Sequence, residues 1–337
     1  MNLERFIKAQ EKDYDVALSE IRSGRKRSHW IWYIFPQIKG LGFSSTSEYY
    51  GIDGYAEAKA YYANPILRER LLEISGVLLT LKENDAGIVM GYPDDLKLCS
   101  SMTLFSEIAA DTEVFGKVLE KYFNGQKDVE TLKRLAISVD RMRQSDAYTI
   151  ENITSGRELM YRAASGVYAS YDGWKNKRIA IVCGGGNNGG DGYALSVILR
   201  KNGMAVDVFA VSDKLSEDGK YYCHQAMEMG IQKKTFDEET HFKEYDIVVD
   251  CIFGTGFHGE VRGAAREAIA AINEAGAYVI SVDINSGLNG DTGEGKLAVY
   301  SDLTVSIGYY KRGLFEREAL SHIKKLVNVD IGIELIA

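Results

Sequence analysis

Two hydrophobic rhythms divide this chain near residue 135. In the first part, apolar and small residues recur at three- and four-residue steps. Leu3, Phe6, Ile7 and Gln10 are followed by Tyr14, Ala17, Leu18 and Ile21, a pattern that predicts an amphipathic helix. Asn64-Pro65 is a helix start, a capping side chain ahead of proline at the first helical position, and Ile66, Leu67, Leu71, Ile74, Leu78 and Leu81 carry the pattern on. Asp94-Asp95 opens another helix through Leu98, Met102 and Phe105. All three prolines (Pro36, Pro65, Pro93) fall in this part, which supports a boundary between residues 1–135 and residues 138–337.

From Ile137 the pattern changes. Residues 140–169 read as two helices, with Thr154 or Ser155 capping the second. Arg178-Ile-Ala-Ile-Val-Cys183 is then a run of β-branched and small apolar residues, as in a strand buried on both faces. Further strands are predicted at 205–211, 246–253, 277–284, 303–307 and 326–331, and helices at 193–200, 220–229 and 263–274. Strand–helix alternation of this kind predicts an α/β fold. Its doubly wound (Rossmann-like), mostly parallel sheet forms a three-layer αβα sandwich preceded by a separate, mainly α-helical domain.

Composition narrows the function. Hydrophobic content of 45% and charged content of 26% are ordinary for a soluble globular protein, and a net charge of -8 argues against a nucleic-acid partner. No apolar run is long enough to span a bilayer, and Met1-Asn-Leu-Glu-Arg-Phe-Ile-Lys8 lacks a signal-peptide core, so no membrane partner and a cytoplasmic location are expected. Cys99, Cys183, Cys223 and Cys251 lie far apart, which fits reduced buried thiols better than zinc ligands. In the first part, the basic Arg22–Arg27 and the aromatic Ser28–Gln37 permit two readings: a surface for phosphates and rings, or a solvated turn leading into core.

The chemistry concentrates at three strand ends: Asn187-Asn-Gly-Gly-Asp191, Asp250–Glu260 and Asp283-Ile-Asn-Ser-Gly287. A glycine-rich turn from strand to helix leaves backbone N–H groups aimed at one spot, with the helix dipole behind them, and so makes an anion site. The carboxyl ends of such strands converge, so Asp191, Asp250 and Asp283 should share a site, where an all-oxygen set suits a hard cation. Each residue has an alternative. Asp191 could cap the helix after it, Asp250 could hold a loop through backbone amides, and His258 could be merely solvated. Lys311 could meet a phosphate or be exposed. Asp283, at the end of a buried strand, is harder to explain as structure alone.

No lysine follows the glycine loop, which excludes a nucleotide-triphosphate P-loop, and no Gly-x-Ser-x-Gly elbow is present. A dehydrogenase stays possible because Asp213 stands near where a ribose-binding acid would fall. Against it, Asn187, Asn188 and Asp191 would crowd and repel a pyrophosphate.

These strings carry two resemblances. Leu3-Glu-Arg-Phe6, Gly24-Arg-Lys-Arg-Ser-His-Trp30, Phe35-Pro-Gln37 and Lys97–Phe105 resemble domain-of-unknown-function family 1810, which implies a helical fold and no established activity. Met142-Arg-Gln-Ser-Asp146, Leu159-Met160, Cys183–Gly192, Asp250–Gly256 and Ser281–Gly287 resemble the NAD(P)HX epimerases, the N-terminal half of the YjeF repair enzymes. The second resemblance implies an isomerase acting on hydrated NADH or NADPH, which carries a misplaced hydroxyl at C6 of the nicotinamide ring. It implies substrate binding by Asn187, Asn188, Gly189, Gly190, Asp191, Gly254, Thr255, Gly256, Phe257, His258, Gly259, Glu260 and Asp283. It also implies Asp283 as the catalytic acid–base, a potassium ion on Asn188, Asp250 and Ser286, a separate dehydratase as pathway partner, and a homodimer. A non-catalytic nucleotide sensor using the same crevice is the alternative from another functional class.

The chain departs from that family pattern at Asn285, where proline is usual, which predicts a looser loop around Asp283 and Ser286. Tyr161 and Ala164 likewise stand in place of glutamate and glycine.

Overall fold

The computed structural model describes residues 2–336; Met1 and Ala337, the outer ends of the two expected domains, lie outside the described residues. The chain separates into two compact units, one up to Leu135 and one from Ala136.

The first unit is built of helices, including Glu4–Arg22, Pro65–Thr80 and Asp94–Ile108. Phe6, Gln10, Tyr14, Ala17, Leu18 and Ile21 form the buried face of the first of these. The Asn64 side chain caps the second, accepting from the amides of Ile66 and Leu67. Of the two readings of the aromatic segment, the core one matches the structure: Trp30, Ile31, Tyr33, Ile34 and Phe35 are all buried. Glu20 folds the turn ahead of them. Its carboxylate accepts from the amides of Arg27 (2.8 Å) and Ser28 (3.0 Å) and from Trp30 Nε1 (2.8 Å).

In the second unit, among the described residues, seven parallel strands form one sheet. They are β1 (Arg178–Cys183), β2 (Ala205–Ala210), β3 (Lys233–Thr235), β4 (Ile247–Cys251), β5 (Tyr278–Val282), β6 (Leu303–Ile307) and β7 (Leu326–Val329). The order is β3-β2-β1-β4-β5-β6-β7. The chain winds outward from β1 to β3, then returns to the other side of β1 at β4. Ligands in such sheets bind where the winding reverses, beyond the carboxyl ends of the strands. β3 has no counterpart in the sequence reading, because three residues at a sheet edge carry no hydrophobic pattern.

The helix after β1 differs from its expected span. It runs Asn187–Lys201 rather than starting near Tyr193, so Asp191 lies within it and does not cap it. Glycine disfavours helix, but here close packing takes precedence over propensity. A Cβ on Gly189 would stand 2.0 Å from the Gly184 carbonyl oxygen, and a Cβ on Gly184 would stand 1.9 Å from that of Ile252. Bare backbone at both positions lets the helix N-terminus settle against the ends of β1 and β4.

Candidate functional site

A cavity of about 650 Å³ opens at this switch point. The first turns of the helix Asn187–Lys201 supply Asn187, Asn188 and Asp191, which share a face at three- and four-residue spacing. The loop after β4 supplies Gly254, Thr255, Gly256, Phe257 and His258, and the end of β5 supplies Asp283. Helices Val139–Asn152 and Gly156–Ala169 close it with Met142, Ile150, Leu159, Met160 and Ala163.

Asp283 leaves β5 in the left-handed region (φ 71°), a conformation rare for a residue with a side chain. Its amide is held by the Val305 carbonyl at 2.7 Å. Its Oδ2 accepts from the Thr255 amide at 3.2 Å, and its Oδ1 forms an ion pair with Lys311 Nζ. Lys311 also donates to the Ile307 carbonyl at 2.7 Å and is 1% exposed. It is therefore neither an exposed residue nor free to meet a phosphate. It is the ion-pair partner of Asp283.

Three further carboxyls line this cavity: Asp146, Asp191 and Asp218, the last paired with Arg157 at 3.2 Å. Burial pushes Asp191 well above the usual carboxylate range, and the charges of Asp283 and Asp146 push it further. Asp146 is raised by burial and then by Asp283. Sequence reasoning gave Asp146 no role. The signal available was a carboxylate four residues after Met142, on the face that lines the cavity.

Asp250 does not line the cavity; it is fully buried beneath the loops. It accepts from Ser281 Oγ (2.9 Å), from the Ser286 amide (2.9 Å) and hydroxyl (2.5 Å), and from the Ile252 amide (3.2 Å). The alternative in which Asp250 holds a loop through amides thus describes its contacts. The expectation that it shares a chamber with Asp191 and Asp283 fails, because the β4 side chain at this register points under the loops. Burial raises its proton affinity against the lowering effect of these donors.

The Phe253 carbonyl connects the three strand ends. It accepts from Asn188 Nδ2 at 2.8 Å and lies 3.3 Å from Ser286 Oγ, while the Phe253 amide donates to that hydroxyl at 2.8 Å. Asn188 Oδ1 is buried and without a hydrogen-bond partner among the described residues. An orphaned amide oxygen beside a carbonyl, a hydroxyl and one carboxylate suits a cation of low charge. No cluster of three His, Cys, Asp or Glu is placed for a metal among the described residues.

Several expected contact residues stand elsewhere. Gly189 and Gly190 are buried within the helix and do not line the cavity. Gly259 and Glu260 lie beyond the cavity, and Glu260 turns outward to pair with Lys296 at 2.5 Å and Arg262 at 3.5 Å. His258 lines the cavity but is exposed. Asp213, the ribose-binding acid of the dehydrogenase alternative, is 90% exposed and 3.7 Å from Lys233.

Asn285 ties its loop rather than loosening it. Fully buried, it donates to the carbonyls of Val299 (2.9 Å) and His322 (3.2 Å) and to Ser301 Oγ (3.0 Å), and accepts from Thr304 Oγ1 (2.6 Å). Side-chain hydrogen bonds here do the work of a proline ring. Asn285→Ala is expected to lower stability by about 2–3 kcal/mol, since it strands several buried polar groups; urea unfolding measures it.

Comparison with known proteins bears on this arrangement. Residues 156–313 match the family model described as "YjeF-related protein N-terminus". Over 212 residues the chain is 36% identical to an NAD(P)H-hydrate epimerase of Anaerococcus prevotii, covering 59% of this chain and 95% of that protein. The chain belongs to the YjeF-related N-terminal family. It is also 34% identical, over 61% of its length, to a bifunctional NAD(P)H-hydrate repair enzyme of Dictyoglomus turgidum, but spans only 40% of that protein. Residues 1–135 match the model described as "Protein of unknown function (DUF1810)". A crystal structure of the conserved hypothetical protein Rv1873 from Mycobacterium tuberculosis is 42% identical, covering 41% of this chain and 98% of that one, with a TM-score of 0.40. No helix among the described residues is long and apolar enough to cross a membrane.

Proposed function

We propose that the second unit is an isomerase that interconverts the R and S epimers of hydrated NADH and NADPH. The reaction would belong to cytoplasmic nicotinamide-nucleotide repair, with a separate dehydratase consuming the S form. The observation that carries this reading is Asp283, a carboxylate presented to the cavity on strained backbone and paired with a buried lysine. A relative named for this activity, 95% covered by the chain, supports it.

Loss of the C6 hydroxyl leaves a planar cation conjugated through the ring nitrogen, and water can return to either face. The Asp283 carboxylate stabilises that cation electrostatically and accepts the proton released when water adds back. The apolar wall around Met160 limits competing water. Potassium fits Asn188, Asp250, Ser286 and the Phe253 carbonyl on the evidence of the orphaned Asn188 oxygen. When bound, it would supply positive charge that offsets Asp250 and draws the strand-end loops together.

The test supplies pure R-hydrate with an excess of S-specific dehydratase and follows NADH recovery. The wild-type protein is expected to accelerate recovery well above the spontaneous rate, and more in potassium than in an equal concentration of tetramethylammonium. Recovery no faster than without the protein would end the reading. Equal rates in both salts would remove the ion.

A further inference from the structure

Acid–base catalysis at C6 needs a proton donor as well as an acceptor, and Asp283 is poorly suited to donate. Its Oδ1 is paired with Lys311, and Lys311 is committed to that pair and to the Ile307 carbonyl. The donor must therefore be another group at the cavity; of the two raised carboxyls there, Asp146 is less deeply buried than Asp191 and so more open to a ligand.

Asp146 is well placed and firmly held. Its helix Val139–Asn152 begins at a Ser138 cap, and the Val139 amide donates to Asp291 at 2.8 Å. The C-terminal segment is stitched along it. Thr149 Oγ1 accepts from the Glu334 amide at 2.9 Å, Ser145 Oγ accepts from the Ile336 amide at 3.2 Å, and Arg141 donates to the Ile336 carbonyl. Ser145 and Thr149 are fully buried, so the helix cannot turn and Asp146 keeps its station at the cavity. Its carboxyl has no hydrogen-bond or ion-pair partner among the described residues, which leaves it free for a ligand.

The geometry points to Asp146 as a second catalytic carboxyl, the proton donor to the departing C6 hydroxyl, working with the Asp283 carboxylate; this rests on the epimerase reading. In the forward step the Asp146 proton moves to the hydroxyl oxygen, and the C6–O bond breaks with its electron pair leaving on water. The ring-nitrogen lone pair closes a C6–N double bond. In the return step water adds to either face of that cation and gives up a proton, through Asp283, to the Asp146 carboxylate, which restores both groups. Nothing is oxidised or reduced.

The electrostatics agree with this division. Asp283 supplies the negative charge that acts on Asp146 and Lys311 opposes it, Asp191 is itself raised, Asp218 is paired with Arg157 at 3.2 Å, and Arg143 and His258 lie at the exposed margin. Burial and the Asp283 charge raise Asp146. A donor must hold its proton, so turnover should fall as pH rises through this raised value.

The test is the coupled R-hydrate assay across pH on the full chain. Asp146→Asn is expected to lower kcat by about 10²–10⁴-fold, to leave KM within about threefold, and to lack the alkaline decline of the wild type. Asp191→Asn, at the other raised carboxyl of the cavity, should keep that decline. If the wild type accelerates recovery but Asp146→Asn keeps its kcat and its alkaline decline, Asp146 is not the donor. If Asp191→Asn instead abolishes the decline, Asp191 is the donor and the assignment to Asp146 also falls. A wild type that fails to accelerate recovery overturns the epimerase reading instead.

Discussion

Asp283→Asn is expected to lower the turnover of R-hydrate about a thousandfold, within the range general acid–base groups contribute, and to destabilise the fold as well. The two losses have one origin. Asparagine removes the charge that stabilises the ring cation, and it leaves the Lys311 ammonium, 1% exposed, without a counter-charge. Breaking a buried ion pair on one side costs about 3–5 kcal/mol, more than replacing both partners. The lower end applies here because the Asp283 side chain keeps 15% exposure and the new amide oxygen can still accept a hydrogen bond. Asp283→Asn combined with Lys311→Met should therefore regain most of the stability while remaining inactive. Urea unfolding and the coupled assay separate these effects. Equal stability of the single and double variants would show that the pair does not hold the loop.

The second large effect is structural. Gly184→Ala would place a methyl group 1.9 Å from the Ile252 carbonyl oxygen, between two adjacent parallel strands that cannot part without losing their ladder. Overpacking against backbone costs about 3 kcal/mol or more. For a unit of this size, that corresponds to a melting temperature lower by roughly 6–12 °C. Substrate binding should suffer in parallel, because the same displacement moves the turn that delivers Asn187 and Asn188. An unchanged melting temperature would mean the strand ends are looser than they stand.

The strands were legible because fully buried parallel strands are written as unbroken apolar runs, as in Ile179–Cys183 and Ile247–Val249. The helix start at Asn187 was not. Three glycines in the first six residues of that helix read as a turn by propensity, and only the close approach of Gly184, Gly189 and the Ile252 carbonyl lets them be helical. The strand-end motifs pointed at Asn188, Asp191 and Asp283 because polar residues there have no packing purpose. Asp146 and Lys311 were obscured for opposite reasons. Asp146 lies on a helix remote in sequence from the glycine loop, where a carboxylate looks like ordinary solvated surface. Lys311 is a lysine in a loop, and nothing local says that its ammonium is buried. Asn285 misled for a related cause: the absence of proline is visible in sequence, whereas the four hydrogen bonds that replace it come from residues 14 to 37 positions away.

The Phe253–Thr255 peptide touches Asn188 on one side and Asp283 and Ser286 on the other. An occupant of the cavity and an occupant of the oxygen cluster beneath it would therefore press on the same short piece of main chain. If either one draws that piece into a preferred position, it has already met part of the ordering cost for the other. Thermodynamic linkage then requires the two affinities to change by the same factor in both directions. On the epimerase reading, an ion held beneath the loops would thus tune the affinity for the damaged coenzyme above them, and the coenzyme that of the ion.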